Sequence, residues 1–356
     1  MPTSPRDPVA DLKLIAFLLE RAAEPTYRVK AFRTAAGVVE GLDRDELRDR
    51  AAAGTLGELG GIGETTARSV AESLGGAAPD YLRRLQANEP APLDAATAAL
   101  RAALRGDCHA HSDWSDGGSP IRDMALAARD IGHEYLVLTD HSPRLTVARG
   151  LSAERLEEQL DVVAELNEQL APFRILTGIE VDILDDGTLD QKPALLARLD
   201  LVVASLHSKL RMPTEQLTPR MVAAVANPHT DVLGHCTGRL RAVPRGREAS
   251  SGRGNRPESQ FDAELVFAAC EKFGVAVEIN SRPERLDPPT RLLRLAVETG
   301  CLVTIDTDAH APGQLDWQAN GCERAVRCGV PVASVVNAWS VQDVLAWTAD
   351  HAARPA

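Results

Sequence analysis

At 356 residues the chain is too long for one ordinary domain and suits one large α/β domain with a small companion. Hydrophobic residues make up 44% of it and aromatics only 4%, so its core is aliphatic, which disfavours an aromatic-rich β-sandwich. A formal net charge of −12 excludes tight, non-specific nucleic-acid binding through an overall basic surface, although a local patch can still bind phosphate.

Apolar residues recur at helical spacing through residues 11–23, 28–39 and 45–52, so the chain opens with an all-helical segment. A glycine-rich turn, Gly60-Gly61-Ile62-Gly63, then separates two helical stretches in the pattern of a helix-hairpin-helix. The first domain is expected over residues 1–87. Asn88-Glu89-Pro90-Ala91-Pro92 and an alanine-rich helix up to Arg105 form the expected linker, 88–105. A second domain is expected over 106–345. In it short apolar runs alternate with helical stretches: around Cys108, then at 135–138, 175–179, 201–204, 232–233, 275–279 and 302–305. Seven strands with intervening helices predict a parallel α/β barrel or open sheet. The polar segment 239–260 interrupts the rhythm and reads as a long mobile loop. Six cysteines lack a CxxC pair or a disulfide framework, residues 1–20 carry no signal pattern, and no apolar run approaches the ~20 residues of a membrane span. A soluble, reduced, cytoplasmic protein is therefore expected, with no membrane partner.

Nearly every predicted strand ends in a potential metal ligand. His109 and His111 lie two apart on the first strand and so point to one side. Asp116 follows in the next loop, and later strands end in His141, Glu180, His207, His235 and the pair Asp308 and His310. In a parallel barrel the C-terminal strand ends meet on one rim. Nine mixed nitrogen and oxygen ligands there suit Zn²⁺, Mn²⁺ or Fe²⁺, and they are too many for one ion, so two or three divalent ions are the natural count. Any one of these histidines taken alone reads as an ordinary capped or core residue, but six of the chain's nine histidines fall at strand ends. His133, His229 and His351 show no such placement and are expected to be bystanders.

The strings Asp107-Cys108-His109-Ala110-His111, Ser115-Asp116-Gly117, Thr139-Asp140-His141-Ser142 and Thr307-Asp308-Ala309-His310 resemble the polymerase-and-histidinol-phosphatase (PHP) family. Gly234-His235-Cys236-Thr237-Gly238-Arg239 and Glu278-Ile279-Asn280-Ser281 are similar to the PHP domain at the C-terminus of bacterial family-X DNA polymerases. The resemblance covers about residues 106 to 340. It implies a distorted seven-stranded barrel of the TIM type with a trinuclear metal site, and all nine ligand positions match its pattern. Cys236 departs from it, standing where the polymerase-associated members usually have proline. A small buried side chain is the expected role, with tuning of metal choice the alternative.

Such a cluster implies phosphate ester hydrolysis. His207 is a candidate general acid as well as a ligand, and sequence does not separate the two roles. Arg282 and Arg285, just past the sixth strand, are candidates for bidentate pairing with substrate phosphate, with solvated arginines the alternative. The loop after His235 carries Arg239, Arg241, Arg245, Arg247, Arg253 and Arg256 against Glu248 and Glu258, a local basic patch in an acidic chain that reads as substrate recruitment or as a solvated loop. Amidohydrolase barrels also begin with a His-x-His pair, but they want a bridging lysine on a middle strand, and residues 201–206 hold none.

Residues 27–36 and the Gly61-Ile62-Gly63 turn resemble the small helical domain at the start of family-X polymerases, whose glycine turn offers N–H groups to a DNA phosphate. Residues 51–86 carry one more acid than base, and Ser69 stands where some relatives have a lyase lysine, so no lyase activity is expected. The linker runs almost directly into the metal domain, leaving no room for a polymerase domain. The expected function is a DNA 3′-5′ exonuclease or 3′-end processing enzyme, with a small-molecule phosphomonoesterase such as histidinol phosphatase as the alternative. DNA is the expected partner of a nuclease, through the hairpin and the arginine loop.

Overall fold

A computed structural model describes residues 6–89, 91–242 and 255–352. They form two compact units, one ending at Pro92 and one starting at Leu93.

The first unit is all helical: Pro8–Arg21, Thr26–Glu40, Arg44–Ala53, Glu64–Leu74 and Asp80–Gln86, with a short 3-10 turn at Leu56–Glu58. Leu12, Ile15, Leu19, Phe32, Ala35, Val70 and Leu82 build its core. Their spacing places one apolar stripe on each helix. Asp11 is buried among them, held by Arg6 at 2.6 Å and by the Ser73 hydroxyl at 2.7 Å. At the glycine turn Gly61 has φ +91°, and a Cβ there would lie 2.7 Å from Thr34 Cγ2, so glycine is required. Ser69 is buried and donates its hydroxyl to the Thr65 carbonyl at 3.0 Å, so it faces inward.

The second unit is built on seven strands: β1 (Gly106–Ala110), β2 (Tyr135–Leu138), β3 (Arg174–Asp182), β4 (Leu201–Ser205), β5 (Val232–Leu233), β6 (Ala276–Asn280) and β7 (Val303–Asp306). Every neighbouring pair is parallel and the order is sequential, β1 to β7. A bridge between Ala110 and Ala309 brings β1 back to β7, and helices cover the outside, so the sheet forms a distorted, nearly closed barrel of the TIM type. Six of the strands are buried along their whole length, as expected of parallel strands covered on both faces.

The distortion has local causes. The β1–β2 register shifts between Asp107 and Ala110. Strand β3 pairs with β2 through Thr177 and with β4 from Gly178 onward, so it serves two neighbours in succession. Gly178 marks the changeover, because a Cβ there would lie 2.8 Å from the Leu201 carbonyl and 2.8 Å from Val137. This strand runs on to Asp182, beyond the expected end at 179, since continued pairing with β4 carries its polar tail.

Two elements at the edges join this unit. The alanine-rich helix, Ala95–Ala103, sends Leu100, and Leu104 just beyond it, into a core cluster with Ile279, Leu293, Val303 and Cys322. The last helix, Val341–Ala352, extends past residue 345 and sets His351 2.8 Å from the Asp231 carboxylate. The ends of the 239–260 segment are pinned by an antiparallel bridge between Leu240 and Arg256. Arg245, Arg247, Glu248 and Arg253 lie outside the described residues. Among the described residues no helix is long and apolar enough to cross a membrane.

The tight approach at Gly178 yields a test. Gly178→Ala should lower stability by about 1–3 kcal/mol in urea unfolding, and an unchanged midpoint would contradict the strand spacing described here.

Candidate metal centre

The C-terminal ends of the strands deliver all nine predicted ligands to one end of the barrel, and Glu180 lies at their centre. Its Oε2 is 3.3 Å from His109 Nε2, 3.6 Å from His111 Nε2 and 2.9 Å from His141 Nδ1. Its Oε1 is 3.2 Å from His207 Nε2 and 2.8 Å from His235 Nε2. Around it the side chains fall into three overlapping groups with ligand spacing: His111, Asp116, His141 and His310; His109, His111 and Glu180; His141, Glu180 and His207. His235 joins through Glu180, and Asp308 through His111 and His310, each at 3.5 Å.

These residues have the donor chemistry of a divalent-metal site. His111 Nδ1 and His235 Nδ1 are buried with no hydrogen-bond partner among the described residues, and His109 Nε2, His111 Nε2, His141 Nδ1 and His207 Nε2 crowd the Glu180 oxygens without a well-formed hydrogen bond. Buried nitrogens so placed are costly unless their lone pairs meet a cation. Two of the rings have their other nitrogen fixed by a carboxylate. His109 Nδ1 donates to Glu278 at 2.6 Å and His207 Nδ1 to Asp182 at 2.5 Å, while His310 Nδ1 lies between Arg282 Nη1 at 3.0 Å and the Asp308 carbonyl at 2.9 Å. Each carboxylate contact directs Nε2 into the cluster, as acceptors behind metal-binding histidines do.

The electrostatics follow from this packing. Burial alone would push the Glu180 carboxyl up, but His207, His109 and His141 overcome it and hold it well below the usual carboxylate range. Burial likewise opposes ionisation of Asp308, and Arg285 and His111 reverse that. Burial would lower His207, yet Glu180 and Asp182 bring it up to about 9. His111 is lowered to about 3 by burial, with His310 and His141 adding to it, and His235 to about 4 by burial and Arg285.

His235 and Asp308 adopt positive φ, 22° and 53°, conformations that non-glycine residues hold only where the surroundings impose them. Gly234 permits the first, since a Cβ there would lie 2.2 Å from Ser205 Oγ. The side chains of His109, His111, Glu180, His235 and Asp308 are buried, whereas Asp116 is 36% exposed, His310 18% and His207 11%. A substrate therefore meets the Asp116, His310 and His207 side first.

Arg282 and Arg285 lie on this rim, but both are engaged with Asp308. Arg282 Nη1 donates to the Asp308 carbonyl at 3.0 Å and Arg285 Nε to its carboxylate at 2.8 Å, while Arg285 Nη1 is buried without a hydrogen-bond partner. Cys236 is buried beside Asp287, and burial pushes its thiol well up, so it packs as a neutral side chain. His133 pairs with Gln318 at 3.0 Å and His351 with Asp231 at 2.8 Å, both at the N-terminal ends of strands and away from the cluster.

Sequence reasoning missed the supporting carboxylates. Asp140 accepts from Ser112 N at 2.8 Å, Ser112 Oγ at 2.6 Å, Ser115 Oγ at 2.5 Å and Gln159 Nε2 at 2.7 Å, which orders the loop carrying Asp116. Asp182 and Glu278 touch histidine ligands directly. A usable signal existed for Asp182, which stands two residues from Glu180 on one strand and so faces the same side.

Fold and site together define a parallel barrel whose rim gathers histidines and carboxylates that could hold divalent ions. A PHP domain family model matches residues 107–282. The chain is 40% identical over 244 residues to a DNA polymerase/3'-5' exonuclease PolX of Bacillus subtilis, a match covering 68% of this chain and 41% of that one. It is 29% identical over 215 residues to a probable phosphatase of Thermoanaerobacter, covering 57% and 78% respectively. A crystal structure of histidinol phosphate phosphatase from Lactococcus lactis, in complex with zinc, L-histidinol and phosphate, has a TM-score of 0.40 at 18% identity, covering 63% of this chain and 92% of that one. The chain thus spans less than half the length of the Bacillus relative. Residues 107–282 of the barrel thus form a PHP domain.

Two outcomes test the centre. The double variant His109→Ala, His111→Ala should lose hydrolysis to background and bind fewer ions by elemental analysis while keeping its circular dichroism spectrum, and full activity in it would sink the metal site. Because Glu180 raises His109 and His207, protons compete with ions for their Nε2 atoms. Ion affinity should therefore rise as pH increases towards about 9, with protons released on binding, as read by calorimetry in buffers of different ionisation enthalpy.

Proposed function

We propose that the chain removes nucleotides from, or trims, DNA 3′ ends at a centre of two or three Mn²⁺, Zn²⁺ or Fe²⁺ ions held by His109, His111, Asp116, His141, Glu180, His207, His235, Asp308 and His310. The observation that carries the reaction class is the single carboxylate, Glu180, shared among overlapping ligand groups. Ions bound there supply polarisation of a phosphoryl oxygen, a more acidic water and stabilisation of the leaving oxygen.

The chain's own groups complete the site. Arg282 and Arg285, anchored on Asp308, are the groups that orient the phosphate. His207 is the one histidine to which we assign two alternative roles at Nε2: it holds an ion there, or that atom carries a proton instead and passes it to the leaving oxygen. Its Nδ1 contact with Asp182 keeps the ring oriented for either.

What supports DNA as substrate is the 40% identity with the Bacillus polymerase/exonuclease. The helical unit, residues 1–87, and the basic segment between Arg239 and Arg256 are the proposed DNA contacts. Arg239 and Arg256 line a cavity of about 580 Å³ together with Arg241 and Asn255. A second reading, hydrolysis of a small phosphate monoester, is favoured by the Thermoanaerobacter relative, of which the match covers 78%.

Labelled single-stranded and gapped DNA, histidinol phosphate and an aryl phosphate, each incubated with Mn²⁺ or Zn²⁺, separate the two readings. Metal-dependent shortening of DNA that weakens on deletion of residues 1–90 is expected. Turnover of the monoesters alone, unaffected by that deletion, would replace the nuclease reading with the phosphatase one.

A further inference from the structure

Glu278, on β6, is fully buried beneath the cluster and lies outside the three ligand groups. It nevertheless touches two of the ligand-bearing elements and is linked to a third through Asn280. Its Oε1 accepts the His109 Nδ1 proton at 2.6 Å. Its Oε2 accepts the backbone N–H of His235 at 2.5 Å, at the residue whose φ is +22°. Asn280 Nδ2 spans from that same Oε2, at 3.3 Å, to Asp308 Oδ2, at 3.2 Å. One carboxylate thus ties down a ligand from β1, the strained turn after β5 and the ligand after β7.

We infer that Glu278 is a positioning residue that fixes the His109 tautomer and the His235 turn so that both present nitrogen to the ions. The inference rests on the metal-centre reading above. Only an ionised carboxylate accepts on both oxygens. A glutamine of the same shape has one accepting oxygen. If its amide N–H₂ faces His109, it donates to Nδ1, the ring proton moves to Nε2, and that atom no longer offers a lone pair. If the amide faces His235 instead, two N–H donors oppose each other and the turn loses its anchor. Either orientation damages a ligand while volume is conserved.

The test is Glu278→Gln in the full chain, with Co²⁺ and Mn²⁺ as probes. Affinity by chelator competition should fall roughly 10–100-fold, the effect typical of losing a group that orients a metal-binding histidine. The ion count per chain should drop, and the visible bands of the Co²⁺ protein should change. E278Q with wild-type affinity, count and spectrum overturns the role. So does a chelator-treated variant that melts far below chelator-treated wild type, since that outcome makes Glu278 structural. Should E278Q be insoluble, Glu278→Asp keeps the charge but shortens the reach to His109 and His235, and an unchanged affinity there overturns the role equally. Wild-type protein that takes up no ion refutes the metal centre itself, a result separate from failure in the variant alone.

Discussion

One buried carboxylate sits within 3.6 Å of five histidines. An ionised Glu180 in that position carries a large desolvation cost, and the arrangement persists because positive charge surrounds it, from imidazolium or from ions. That requirement reaches outward through the molecule. Each histidine must be aimed, so Glu278 and Asp182 hold the Nδ1 atoms of two of the rings. Asp308 must also stay ionised, and Arg282 and Arg285 close over it.

The barrel makes this crowding possible. Parallel strands all end on one rim, so short loops suffice to bring residues 109 and 310, about 200 positions apart, into one cluster. The strands themselves are aliphatic and buried, which leaves the polar chemistry to their last residues and to the turns beyond. In two of those turns the non-glycine residue at positive φ is itself a candidate ligand. Backbone strain therefore coincides with the ligands His235 and Asp308, where packing and hydrogen bonds dictate geometry against local preference.

The division between floor and mouth bears on catalysis. Buried His109, His111, His235 and Asp308 form the floor, and the partly open Asp116, His310 and His207 form the mouth. Both arginines beside it are already anchored on Asp308.

Much of this was legible in the sequence. Aliphatic runs recurring between helical stretches indicated seven parallel strands, and the ionisable residues at their ends indicated the ligands, because strand periodicity and the shared rim are local rules. What tertiary structure alone decided was how those ligands are supported. Glu278 and Asp140 are ordinary acidic residues in the sequence; that one holds a histidine ring and a backbone N–H, and the other a serine-lined loop, depends on contacts across 169 and about 28 positions. The positive φ of His235, the changeover of β3 at Gly178 and the docking of the Ala95–Ala103 helix onto the barrel unit were likewise invisible. Residue type and spacing determined which atoms were available for chemistry; their tautomers, strain and charge states were set by burial, which only the packed chain possesses.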